Sequence, residues 1–258
     1  MKKLLKIIIG FNAVSLIHLF RCNWSGFVRA CNNAFAAAFH ALHSGFSMTD
    51  QYLPQISLDV ILGDRVADIV LHVTRCDDGM LPNEQRMALL SILVVEAPSR
   101  VLEIGTFMGN TTRQMAENLP GAIIHTVDLP EDFSFKSEPI ADKPKDDFHL
   151  IDGRCVGRDF KGHPCEVRIR QHFADTATWS FEEAENSNFF FIDGSHTYEY
   201  CKSDSEKCYE LCAGNGVFLW HDCDDGHPGV VKLLVGWRKL GRDIRRISGT
   251  PMAYWKSS

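Results

Sequence analysis

Several familiar signatures are missing from this 258-residue chain, and each absence removes a class of function. It has no G-x-G-x-x-G turn. Laid over that fingerprint, its glycine turn reads Gly105, Phe107 and Asn110. A phenylalanine where the second glycine belongs blocks the backbone from approaching a pyrophosphate. No Gly-Lys-Ser/Thr follows the turn, which excludes a P-loop. Basic charge is not in surplus: the net charge is −6, which argues against a nucleic-acid partner held on a basic face. The nine cysteines, an odd number, show no paired C-x-x-C spacing. Cys201, Cys208 and Cys212 share one face of an expected helix with Tyr198 and Ser205. They read as reduced core cysteines of a cytoplasmic protein, not as a disulfide frame or zinc site.

A long unbroken apolar run is also lacking. Residues 1–20 open on lysines, as a signal peptide does, but Lys6, Asn12 and His18 interrupt them and no clean small-residue cleavage site follows. A spanning helix needs about 20 apolar residues in succession. An amphipathic helix is the better reading, packed on the domain, on a partner or on a membrane surface. Internal repeats and low-complexity tracts are absent.

What is there is ordinary for a soluble globule: 45% hydrophobic and 23% charged residues. The length suits one α/β domain, residues 56–258, preceded by an N-terminal helical extension over 1–55 of different composition. Residues 56–76 are expected to be helical. Asn83 is expected to cap a helix whose apolar face carries Met87, Leu90, Val94 and Ala97. Strands follow at 100–104, 122–127, about 167–173, 188–193 and 216–222, with helices at 110–119, 178–186, 198–213 and 228–240. The continuously apolar run at 188–193 is what a buried parallel strand looks like. Residues 243–256 read as two strands meeting at Gly249-Thr250, an antiparallel hairpin. Strand–helix alternation through five strands implies a Rossmann-like, doubly wound sheet. Residues 129–165, rich in Asp, Lys, Pro and Gly, form a long insertion expected to cross the ligand-binding edge.

Residues 101–112, VLEIGTFMGNTT, carry the most information. An apolar strand ends in Glu103, a glycine turn follows (Gly105, Thr106, Phe107, Gly109), and a helix is expected to open at Asn110, Thr111 and Thr112. Nineteen residues beyond Gly109 a second strand ends in Asp128. This is the layout of a nucleotide-type cofactor site, with the distal acid placed for ribose hydroxyls. E-x-G-x-x-x-G-x-T resembles motif I of class I S-adenosylmethionine (SAM) methyltransferases. An acid at the strand end suits a ligand that carries a sulfonium and an ammonium and no phosphate.

Two further strand ends hold polar residues: Asp193-Gly194-Ser195-His196 and His221-Asp222-Cys223-Asp224-Asp225. Ligands of open α/β sheets bind beyond the carboxyl ends of the strands, so both clusters share an edge with Gly105 and Asp128. FFFIDGSHTYEYCKSD, GNGVFLWHDCDD and GTPMAYW closely resemble methyltransferase family 24, over about residues 80–256. VGRDFKG and IRQHFADTATWSF fit the same pattern. The resemblance implies a seven-stranded sheet whose last strand is antiparallel, between the fifth and sixth. It also implies SAM-dependent transfer of a methyl group to a hydroxyl or amine of a small molecule or glycan. A looser resemblance to metal-dependent catechol-type O-methyltransferases matches Asp193 and Asp222 to the acids that bind a divalent cation such as Mg, and His196 to the base. There the usual Asn after the second acid is Cys223, a poor ligand for a hard cation.

The SAM-binding set expected is thus Glu103, Gly105, Thr106, Phe107, Gly109, Asn110, Thr111, Asp128, Asp175 and Asp193, with Asp175 at the adenine edge as in relatives. His196 and His221 are the candidate bases, since an imidazole titrates near neutrality. Asp224, Asp225 and His227 read as a solvated turn, and His125, His149, His163 and His172 receive no role. A metal-dependent hydrolase using His196, His221 and Asp222 and a non-catalytic SAM-binding scaffold are the competing readings. The acceptor and the oligomeric state, a homo-oligomer included, are left open.

Overall fold

The computed structural model describes residues 49, 52–72, 79–130 and 155–257. The chain divides into units Met1–Ser47 and Met48–Ser258, and all the described residues lie in the second. The helical extension expected over 1–55 therefore falls outside them except for 49 and 52–55. So do residues 131–154 of the insertion, and His149 with them.

Among the described residues eight strands form one sheet: β1 (Gln55–Ile56), β2 (Arg100–Ile104), β3 (Ile123–Asp128), β4 (Ile169–Phe173), β5 (Phe189–Ile192), β6 (Val217–Trp220), β7 (Arg245–Ile247) and β8 (Ala253–Lys256). Their order is β1-β7-β8-β6-β5-β2-β3-β4. Only β8 runs antiparallel, to both β6 and β7. The last strand thus lies between the fifth and sixth of the doubly wound set, as the resemblance implied. β1 is an eighth strand, parallel to β7. Helices α1 (Leu58–Leu62), α2 (Asn83–Glu96), α3 (Asn110–Asn118), α4 (Tyr198–Leu211) and α5 (Pro228–Lys239) complete the described part. Among the described residues no helix is long and apolar enough to cross a membrane.

Burial on both faces explains the continuous apolar strands. Along β5, Phe189 and Phe191 join the layer containing Leu89, Leu93 and Met115, while Phe190 and Ile192 join the layer containing Trp220, Leu234 and Trp237. This is the two-residue alternation of a strand with a core on each side. All three phenylalanines are fully buried. Each contributes about 1.5–3 kcal/mol of apolar burial.

Three elements differ from expectation. The helix expected over 56–76 shrinks to α1, because Gly63 at φ +58° stops it. Residues 64–72 form no helix, and their backbone is held by side chains of α3. Val70 N–H donates to Asn118 Oδ1 (2.8 Å), and His72 N–H to Gln114 Oε1 (3.0 Å). Residues 73–76 lie outside the described set. The helix near 178–186 is only a 3-10 turn, Phe181–Ala184, closed by Asn186 in the left-handed region. Asn83 does not cap α2 but is its first residue, with Pro82 before it.

Parallel register places the functional strand ends in a row. Ile104 pairs with both Val127 and Ile192, and Ile192 pairs with Trp220. Gly105, Asp128, Asp193 and His221 come next on the four strands, so all leave the sheet at one edge.

Candidate active site

The glycine turn between β2 and α3 is held by the acid that ends the neighbouring strand. Asp128 Oδ2 accepts the Phe107 N–H at 2.7 Å, and Oδ1 accepts the Leu129 N–H at 2.7 Å. Phe107 sits at φ +47°, a strained conformation for an aromatic residue. Gly105, at φ +100°, has no room for a side chain: a Cβ there would stand 2.0 Å from the Asp193 carbonyl oxygen. Gly109 packs against the end of the insertion, and its Cβ would meet the Phe160 ring at 2.5 Å. The strap over 155–163 also donates Gly157 N–H to Phe107 O (2.9 Å) and Asp159 N–H to Met108 O (2.8 Å). Both glycines thus allow close approach of the chain to itself.

Glu103 lies beneath this turn and is fully buried. One of its oxygens accepts from the hydroxyls of Thr112 and Thr126. Burial pushes its pKa up to about 8, with Asp193 and Asp128 adding to the rise and the threonine hydrogen bonds opposing it. Its other oxygen, and both amide atoms of the buried Asn110, have no partner among the described residues. Buried polar atoms are rarely left unpaired. Three of them around a glycine turn fit a site completed by a polar cofactor. Thr106 hydrogen-bonds Thr126 (2.7 Å) and Thr111 lies in the first turn of α3.

An ionisable group raised on folding makes a testable link to pH. Glu103 ionises more readily in the unfolded chain than in the folded one, so stability falls as pH rises from about 4.5 to about 8 and is level above that. Glu103→Gln removes the ionisation. Its melting temperature without cofactor should match wild type near pH 4 and exceed it by several degrees near pH 8.5. Equal melting temperatures at pH 8.5 would show that Glu103 ionises normally.

Asp175, past β4, accepts the Ala177 N–H (2.9 Å) and the Tyr200 hydroxyl (3.2 Å). It therefore fixes the turn after β4 and ties it to α4. Trp179 and Phe181 are core residues.

The polar centre of the edge is Asp222, at φ +55° directly after His221. One Asp222 oxygen lies 2.7 Å from His196 Nε2 and 2.9 Å from His221 Nδ1. His221 Nδ1 is also 3.2 Å from Asp193, and its Nε2 is 2.7 Å from Gln85 Oε1. Burial pulls His221 down, but the charges of Asp193 and Asp222 and their hydrogen bonds prevail and push its pKa up to about 10. Burial alone would raise Asp222, but hydrogen bonds from His196 and His221 hold it well below the usual carboxylate range. His227 joins from the start of α5: its Nδ1 is 2.9 Å from Asp224 and 3.6 Å from Asp222, and its ring centroid is 4.4 Å from that of His196. Asp225 turns away and accepts the Thr49 hydroxyl at 2.6 Å. Cys223 is fully buried, and burial pushes its thiol up to about 12.

Gln85 and His227 were not among the expected site residues. Gln85 is 136 residues from its partner and belongs to no motif. His227 precedes Pro228 at the opening of a helix, a signal that turn residues and helix caps share.

A family model described as a methyltransferase domain matches residues 102–223, the stretch that runs from β2 through the glycine turn to Asp222. The chain carries a methyltransferase domain. Three solved structures share this methyltransferase fold. A cofactor-bound protein from MTB is 14% identical with a TM-score of 0.52, covering 71% of this chain and 84% of that one. An O-methyltransferase from Bacillus cereus in complex with SAH is 13% identical with a TM-score of 0.50, covering 70% and 84%. The O-methyltransferase TomG from Streptomyces achromogenes, involved in tomaymycin synthesis and bound to SAM, is 15% identical with a TM-score of 0.50, covering 70% and 83%. At these identities the similarity concerns the fold of the methyltransferase domain alone. No curated protein sequence matches the chain.

Proposed function

We propose that this methyltransferase transfers the methyl group of SAM to a hydroxyl oxygen of a small-molecule acceptor, with His196 as the general base. The observation that carries this reading is the 2.7 Å contact between His196 Nε2 and Asp222, on the strand edge that bears the glycine turn. An imidazole oriented by a carboxylate in this way is suited to take a proton from the acceptor near neutrality. His221 has a different task. As a cation it donates Nδ1–H to Asp193 and Asp222 and Nε2–H to Gln85, so it holds the acids in place and is a poor base near neutrality. His227 packs its ring against that of His196, the centroids 4.4 Å apart.

Bound SAM supplies an electrophilic methyl on a sulfonium. The chain's residues then have two jobs. Alignment of donor and acceptor is worth up to roughly 7–11 kcal/mol. It falls to the turn from Gly105 to Gly109, with Thr106, Phe107 and the opening of α3 at Asn110 and Thr111. Within it Glu103 and Asp193 face the cationic end of the donor, Asp128 the ribose, and Asp175 the adenine edge. Proton removal falls to His196.

The residues suit a hard divalent cation poorly. Octahedral Mg²⁺ asks for oxygen donors. Here Cys223 takes the third ligand position with a buried thiol, and His221 already bridges Asp193 and Asp222. Proton removal by His196 therefore needs no ion.

The test is calorimetric titration of SAM and SAH with magnesium or with EDTA, together with turnover on a panel of hydroxyl and amine acceptors. SAM and SAH should bind equally well under both conditions, and hydroxyl acceptors should turn over in EDTA. Asp128→Ala should weaken SAM by about 1.5–3 kcal/mol, the range for a hydrogen bond to a charged group, because the ribose and the Phe107 N–H both lose their acceptor. Turnover only on amines would move the reading to N-methylation. Binding without turnover on any acceptor would leave a SAM-binding scaffold.

A further inference from the structure

We propose a second binding site, specific for a protonated phosphate group, in the cleft between Arg100, Arg170 and the His125–His172 pair. This cleft, of about 380 Å³, lies on the face of the sheet at its β4 edge. It is lined by Arg100, Ile123, His125, Arg170, His172 and Glu183. Arg100 and Ile123 open strands β2 and β3, so the cleft reaches toward the amino ends of strands whose carboxyl ends carry the methyltransferase site.

Two arginines bring positive charge, and among the described residues neither is paired with a carboxylate. Arg100 donates only to the carbonyl of Glu185 (3.2 Å), and Arg170 only to the carbonyls of Val167 (3.0 Å) and Ile169 (3.2 Å). The remaining N–H groups of both guanidiniums have no partner among the described residues. Among the described residues the acid at the cleft is Glu183, and it is already engaged: it accepts from Trp179 Nε1–H at 3.1 Å and lies 3.2 Å from His172 Nδ1. Guanidinium groups with open donors are the usual recognition element for phosphate.

The histidines supply the selectivity. His125 and His172 stack at 5.5 Å with an interplanar angle of 8°, and His125 Nδ1 lies 3.2 Å from His172 Nε2. Glu183 fixes the proton of His172 on Nδ1, so His172 Nε2 accepts from His125 Nδ1–H. His125 Nε2 is then a bare acceptor. It is buried and has no partner among the described residues. The groups facing His125 are His172, Arg100, Arg170 and Glu183. Burial first, and then the neighbouring His172 and the two arginines, hold His125 down to about 4, so it is neutral near pH 7. A ligand that satisfies this site brings negative oxygens for the arginines and one O–H for His125. Phosphate and its monoesters do both near pH 6.5, whereas sulfate has no O–H to give.

Calorimetric titration of the full chain at pH 6.5 tests this, with inorganic phosphate, methyl phosphate and sulfate as probes at matched ionic strength. Phosphate and methyl phosphate should bind at least about tenfold more tightly than sulfate, and the tighter of the two names the source, free ion or ester. The double variant R100Q/R170Q should lose phosphate binding about tenfold or more while SAM still binds, which shows that the variant is folded. No phosphate binding to the wild-type chain, equal binding of sulfate, or undiminished binding to the double variant would each overturn the proposal.

Discussion

Replacing His196 by alanine should lower turnover about 10²–10⁴-fold, the usual contribution of a positioned general base. SAM affinity should stay within about a factor of two, because the fall belongs to the transition state and not to donor binding. The separation follows from where the side chain stands. His196 contacts Asp222 and His227, whereas the glycine turn is held by Asp128 and the strap at Gly157 and Asp159. Loss of the imidazole also leaves Asp222 paired, since His221 Nδ1 remains 2.9 Å away. The cluster should therefore persist, and the melting temperature should move little. A pH profile separates base catalysis from mere positioning: the acidic limb of kcat/KM in the wild type reports the base and should vanish in His196→Ala. His221→Ala should differ in kind. It removes the cation between Asp193 and Asp222, so two half-buried like charges face each other and stability falls along with turnover. If His196→Ala turns over at the wild-type rate, the base assignment fails, whatever SAM affinity shows.

Much of this arrangement was legible along the chain, and the parts that were not have physical reasons. Strands buried on both faces leave continuous apolar runs, so FFFI and VFLW stand out, and the acids just beyond them mark the edge where a ligand can bind. The closing hairpin was legible because Gly249 and Thr250 interrupt two short alternating runs. β1 was not, because two residues carry no periodicity. Their extended form comes from distant partners: Arg246 N–H donates to Pro54 O at 3.0 Å, and Ser248 N–H to Ile56 O at 2.9 Å. Residues 64–72 have apolar side chains at helical spacing, yet the amides of Gln114 and Asn118 offer their backbone an alternative to helical hydrogen bonds. Tertiary contacts overrode local preference in both places. The cluster around Asp222 was half legible. His196, His221 and Asp193 sit in compact motifs, whereas Gln85 reaches His221 from a helix that no pattern connects with β6. The glycine turn shows a subtler limit. Its spacing reads as room for a ligand, but the nearest atoms to both glycines belong to the chain's own Asp193 and Phe160.

That last point makes Gly105→Ala the most damaging small substitution expected in the domain. The residue sits at φ +100°, where a side chain costs about 1–3 kcal/mol before any contact is counted. The added Cβ would then stand 2.0 Å from the carbonyl oxygen of Asp193 and 2.8 Å from its carbon. These are backbone atoms and cannot rotate away. Asp193 N–H also extends the sheet by donating to Ile104 O at 2.9 Å, so relief requires β2 and β5 to part at the end where the site is built. The melting temperature should fall by roughly 10 °C or more, given about 2–4 °C per kcal/mol for a domain of this size. SAM affinity should fall with it, since Phe107, Asp128 and Asp193 all take their places from this crossing. Gly236→Ala in α5 is the matched control. It adds the same methyl group to a helical position with nothing within 4 Å, and should stabilise the fold by up to about 1 kcal/mol. A Gly105→Ala protein that melts like the wild type and binds SAM equally well would mean that the two strand ends are not in contact, and the site would then have to be assembled differently.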